Sequence, residues 1–136
     1  MYARTSDPYY AEVVREILDY VLREMTGDDG AFYSAQDAEV NHREGLNYLW
    51  KPEEMRASLE AAGRGDDADF AIETYGLDGG TNFRDPHHPE DGPTNVVFLP
   101  EKPASRAEAL GVPLDDLSAR LAAINEVLLA TRDQRD

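Results

Sequence analysis

GAFYSAQDAEVNHREGLNYLW, Gly30 to Trp50, is the stretch around which the chain is organised. It holds two short aromatic runs, Ala31-Phe32-Tyr33-Ser34 and Leu46-Asn47-Tyr48-Leu49-Trp50, bounded by Gly30 and Gly45. Aromatic residues in short alternating runs between glycines predict a β-hairpin, with 31–35 and 46–50 as its antiparallel strands. The loop between them is polar and carries Gln36, Asp37, Glu39, Asn41, His42, Arg43 and Glu44. The rest of the chain reads as helix or connector. The hairpin is therefore where polar and aromatic side chains can converge on a ligand, because functional groups concentrate on loops held by a rigid scaffold.

Working outward, Asp7-Pro8 predicts a helix start, with Asp as N-cap and Pro at the first helical position. Tyr10, Val14, Ile17, Val21 and Met25 recur at three- and four-residue spacing, and Val13, Leu18, Tyr20 and Leu22 widen that stripe. Thr26-Gly27 is expected to end the helix, with the glycine in a left-handed cap. Beyond Trp50, Pro52 with Glu53 and Glu54 opens a second helix whose narrow apolar face is Met55 and Leu59. Gly63-Arg64-Gly65 breaks it before a short helix through Phe70, Ile72 and Tyr75, which makes a helical hairpin.

Leu77 to Pro93 lacks periodicity and reads as an irregular loop. Asn95 to Leu99 reads as a short buried strand closed by Pro100. Ser105-Arg106-Ala107-Glu108 fits a capping box and predicts a short helix to Leu110. Pro113 begins the last long helix, striped by Leu114, Leu117, Leu121, Ile124 and Leu128. No repeat of fixed period and no linker divides the chain, so residues 1–136 are expected to form one domain.

The formal net charge is −15, from 28 acids against 13 bases. Such a surface repels phosphate backbones and anionic membranes, so neither nucleic acid nor membrane is an expected partner. The N-terminus has no apolar segment of the secretory kind, and no run is long enough to span a bilayer. There are no cysteines, which excludes disulfides, thiolate metal sites and cysteine nucleophiles and fits a reducing, cytoplasmic compartment.

Asp37, Glu39 and Glu44 are carboxylates of one loop, and paired carboxylates can serve as acid and base, or acid and nucleophile, in glycoside chemistry. A solvated acidic turn is the plainer explanation. Asp37 directly follows the aromatic run and is the best anchored of the three. Phe32, Tyr33, Tyr48 and Trp50 can offer a stacking surface for a sugar ring, or else pack the core, since aromatic residues serve both ends. His87-His88 are adjacent and flanked by Pro86 and Pro89, a poor basis for converging metal ligands, so no metal and no cofactor is expected.

Leu18 to Thr26 followed by Gly30 to Ala38 resembles a signature of the thioredoxin-domain-containing proteins of the DUF255 type, relatives of the spermatogenesis-associated thioredoxin-like protein. The likeness continues through Glu44-Gly45, Tyr48, Trp50 and Pro52-Glu53-Glu54 to Tyr75-Gly76, Asn82-Phe83 and Asn95 to Leu99. It departs from the family's acidic loop at Val40, Asn41 and His42. The resemblance implies a segment of a larger protein, taken from an (α/α)6 toroid similar to N-acylglucosamine 2-epimerases and six-hairpin glycosidases. The thioredoxin-like domain is absent from this sequence.

The expected fold is thus mainly α, an incomplete toroid segment of helical hairpins with one small β-hairpin. The function this implies is a carbohydrate-binding or carbohydrate-processing segment, inactive in isolation. Asp37, Glu39 and Glu44 would supply acid–base groups, and Tyr33, Gln36, Tyr48 and Trp50 would contact the ligand. The alternative is a non-catalytic helical scaffold or interaction module. With neighbouring hairpins missing, the apolar stripes of both long helices are expected to drive self-association.

Overall fold

The computed structural model describes residues 2–37, 39–40 and 43–135, the side chains of Tyr2, Glu39, Val40 and Glu44 excepted. The chain divides into two compact units, Met1–Asp37 and Ala38–Asp136. Among the described residues it is mainly helical, with six α-helices and two antiparallel pairs of short strands.

The first unit holds helices α1 (Tyr2–Thr5) and α2 (Pro8–Glu24) and the segment that follows them. Asp7 caps α2 as expected, its Oδ1 accepting from the Tyr9 N–H at 3.0 Å, and Pro8 occupies the first turn where no N–H is needed. The helix ends at Glu24, ahead of the Thr26-Gly27 end expected, and Gly27 is not left-handed. The reason is a competing strand pairing. Gly27 N–H donates to the Ala31 carbonyl at 2.8 Å and Tyr33 N–H to the Met25 carbonyl at 2.8 Å, around a turn closed by Gly30 N–H to the Gly27 carbonyl. Gly30, at φ +81°, supplies the left-handed residue that turn requires.

The aromatic run Ala31 to Ser34 therefore does pair, but with Met25 to Gly27, through a Thr26–Phe32 bridge. This corrects the expected hairpin of 31–35 with 46–50. The second run splits into a 3-10 turn, Leu46–Tyr48, and strand β3, Leu49–Trp50, whose partner is β4, Asn95–Val96. The register sets Leu49 opposite Val96 and Trp50 opposite Asn95. A smaller hairpin forms inside the polar loop instead: β1 (Glu39–Val40) pairs with β2 (Arg43–Glu44), Glu39 opposite Glu44. Asn41 and His42 lie outside the described residues.

In the second unit α3 (Pro52–Ala61) and α4 (Ala68–Thr74) form the expected helical hairpin, joined through Gly63 and a 3-10 turn at Gly65–Asp67. Helix α5 runs from Pro103 to Leu110 and α6 from Leu114 to Arg132. Helix α5 starts before the predicted capping box. Pro103 takes the first helical position behind Lys102, which leaves Ser105 inside the helix. Met55 and Leu59 of α3, Ala68, Ala71 and Ile72 of α4, and Ile124 and Leu128 of α6 close around Trp50 and Leu77 as one core. Leu117 and Leu121 meet Ala107 of α5 in a second cluster. Four of the five predicted stripe positions of α6 are buried, and only Leu114 at its start stays exposed. That covering removes α6 from the faces expected to drive self-association.

Candidate functional site

A cleft of about 510 Å³ opens in the second unit beside the Leu46 to Glu54 segment. Gly45, at φ +70°, turns the chain out of β2 into the 3-10 turn, so that Arg43, Asn47 and Leu49 come to line one wall. The opposite wall comes from the irregular segment, with Phe83, Asp85 and Asp91. A bridge between Phe83 and Thr94 fixes that segment to the residue preceding β4. Long-range pairing of β3 with β4 therefore brings two loops together that no local pattern connects.

Two ion pairs line the cleft, Arg43 with Asp91 and Arg135 with Glu54. The guanidinium of Arg43 grips Asp91 through Nε to Oδ2 and through Nη2 to Oδ1, the latter at 3.1 Å. That hydrogen bonding holds the Asp91 carboxyl below its ordinary range. Arg135 donates from Nη1 to the carbonyls of Leu49 at 2.7 Å and Asn47 at 3.1 Å. Its guanidinium carbon stands 4.0 Å from the centroid of the Trp50 ring, and its Nη2 lies 3.9 Å from Glu54. Burial pushes the Arg135 pKa down, against the pull of Glu54. Glu54 also accepts from the Lys51 N–H at 3.0 Å, as a third-position Glu does at a helix start.

The residues singled out in the sequence are distributed between the two units. Tyr33, Gln36 and Asp37 belong to the first. There Tyr33 is exposed, and Gln36 Oε1 accepts from the Tyr20 hydroxyl at 2.9 Å. Glu39, Glu44, Tyr48 and Trp50 belong to the second. Tyr48 is partly exposed, with Arg132 above its ring at 5.4 Å. Trp50 is only 4% exposed and sits in the core under Arg135, so its ring serves packing.

Sequence reading missed Phe83, Asp85, Asp91 and Arg135 as cleft residues and named Arg43 only as one polar residue of the loop. Arg43 and Asp91 are 48 positions apart, and no spacing rule joins them. The resemblance that marked Asn82-Phe83 was the one available signal. His88, Glu90 and Asp91 bring donor atoms of metal-ligand type within 4.8 Å of one another. The guanidinium of Arg43 already occupies Asp91, which opposes a second cation there.

Compared with known proteins, the chain is similar over 61 residues to spermatogenesis-associated protein 20, at 36% identity in Mus musculus and 34% in Homo sapiens. The match covers 40% of this chain and 8% of each relative, so the chain corresponds to a small part of their length. No family profile matches the sequence. No solved structure matches it either.

Proposed function

We propose that this chain is a segment of a DUF255-type protein, of the kind that includes spermatogenesis-associated protein 20, and that its second unit binds a carbohydrate without turning it over alone. The observation that carries the reading is the cleft between Leu46 to Glu54 and Phe83 to Asp91. It combines apolar side chains, Leu46 and Phe83, with carboxylates and guanidinium groups fixed by their own hydrogen bonds. Small-ligand sites are concave, largely apolar and equipped with a few convergent polar groups. On the sequence argument, Glu39 and Glu44 of the second unit remain its acid–base candidates and Tyr48 its ligand contact, whereas Tyr33, Gln36 and Asp37 belong to the first unit and are not assigned to this cleft. In this reading the chain is an incomplete segment of an (α/α)6 toroid, to which α3 with α4 and α5 with α6 contribute helical hairpins.

Saturation-transfer NMR against a panel of neutral mono- and disaccharides tests the reading. Binders are expected for the wild-type chain, with the signal lost in Phe83→Ala. A panel without binders, or binding indifferent to that substitution, contradicts it.

A second reading, a non-catalytic interaction module, draws on the first unit. Val14, Ile17, Leu18 and Leu22 of α2 are all more than half exposed, as are Phe32 and Tyr33. Exposed apolar surface of this kind marks interaction sites when it is contiguous. The occupant this reading commits to is a second copy of the chain. Arg15 and Asp19 lie one turn apart beside the stripe, and an antiparallel copy can set each Arg15 against the other Asp19.

A further inference from the structure

Three cations and three carboxylates line the cleft, and they answer one another. Arg43 is engaged by Asp91 through both carboxylate oxygens and stands 4.0 Å from Glu90. Arg135 lies 3.9 Å from Glu54 and uses Nη1 on the carbonyls of Asn47 and Leu49. Lys51 is close enough to Asp91 to act on its carboxyl, and Asp85 acts in the same way on Arg43.

We infer that the cleft is built for a neutral sugar and discriminates against acidic ones, whether phosphorylated or uronic. The inference rests on the carbohydrate reading above and names the class of ligand that reading leaves open. Its physical basis is displacement. A carboxylate has about four lone-pair sites, and a bidentate Arg43 uses two of those on Asp91, so acceptors remain for the hydroxyl donors of a sugar. A neutral ligand thus binds without breaking any pair. An anionic ligand gains the bidentate contact of Arg43 only by displacing Asp91, exchanging one charge-assisted pair for another. It would also add its charge to a chain of net charge −15, while the cations and carboxylates of the lining offset one another.

The test is an NMR-monitored titration of the full chain with matched pairs that differ only at C6. Methyl β-D-glucopyranoside is set against methyl β-D-glucuronide, with the corresponding galacto and manno pairs beside them. In any pair that binds, the neutral member is expected to bind at least about tenfold more tightly. An acidic member that binds as tightly or more tightly overturns this inference and leaves the carbohydrate reading standing. No binding by either member of any pair overturns both. Asp85→Asn and Asp91→Asn each remove one wall carboxylate and are expected to raise uronide affinity relative to the neutral partner. An unchanged ratio in both variants, with circular dichroism like that of the wild type, also overturns the inference.

Discussion

The side-chain amide of Asn82 makes both hydrogen bonds of a strand neighbour to the backbone of Val96. Its Nδ2 donates to the Val96 carbonyl at 2.9 Å, and its Oδ1 accepts from the Val96 N–H at 2.7 Å. Val96 meets Leu49 of β3 by register, so Asn82 completes the bonding of a two-residue strand that would otherwise present an edge. Because β3 and β4 hold the two cleft walls together, this one amide supports the site as well as the sheet.

Asn82→Ala removes both bonds. At about 0.5–1.5 kcal/mol net for each, and with Asn82 exposed, the expected destabilisation is about 1–2 kcal/mol in urea unfolding. Asn82→Asp keeps the acceptor and loses the donor, so it should fall between. Equal stability of all three forms would show that the amide does not hold β4.

Arg135 should be irreplaceable by lysine. A planar guanidinium can lie on the Trp50 ring while reaching two carbonyls, whereas an ammonium cannot do both. Arg135→Ala is expected to lose about 1–3 kcal/mol, and Arg135→Lys to recover less than half of that. Trp50 is the only tryptophan, so its emission reports the change directly and should move to the red in both variants. An unmoved emission maximum would show that Arg135 does not cover the ring.

Acidification should weaken the second unit in a specific way. Asp91 is depressed by its hydrogen bond from Arg43, and Glu73 by its hydrogen bond from Arg106. A depressed folded pKa means the unfolded chain binds more protons, so the stabilisation is present above the ordinary carboxylate range and is lost as pH falls through the lowered values. Glu16 of α2 acts oppositely, since burial and then Glu12 and Asp19 raise its pKa and low pH relieves it. Urea midpoints measured between neutral pH and about pH 3 should fall for the wild type and fall less steeply for Asp91→Asn. Parallel curves would remove the Arg43–Asp91 pair from the explanation.

Self-association, if α2 drives it, should grow with salt, because added ions screen the repulsion between chains of charge −15. Sedimentation velocity at two salt concentrations is expected to show larger species at the higher one, and Leu18→Glu should abolish them. A monomer at both concentrations contradicts the second-copy reading of that face.

What could be read in the sequence was what local chemistry decides. Asp7-Pro8 caps α2 because a carboxylate and a ring suffice to start a helix. Leu117, Leu121, Ile124 and Leu128 line one face of α6 because helical spacing puts them there. The pairing of the aromatic runs was not legible. Alternation in Ala31 to Ser34 suits any extended neighbour, and Met25 to Gly27 lay nearer than Leu46 to Trp50. Leu49–Trp50 found its partner at Asn95–Val96, where Asn95 Nδ2 also donates to the Trp50 carbonyl at 3.1 Å. The cleft follows from that distant pairing, which is why Asp37, Glu39 and Glu44 drew attention before Arg43 and Asp91.

Ligand is expected to bind in the second unit, between Leu46 to Glu54 and Phe83 to Asp91. The most direct measurement is a map of backbone amide shifts as a bound neutral sugar is titrated into the isotope-labelled chain. Shifts are expected to cluster at Leu46, Asn47, Leu49, Phe83, Asp85 and Thr94, with α2 unchanged. Shifts confined to α2 and the Phe32-Tyr33 turn, or no shifts at all, would contradict it.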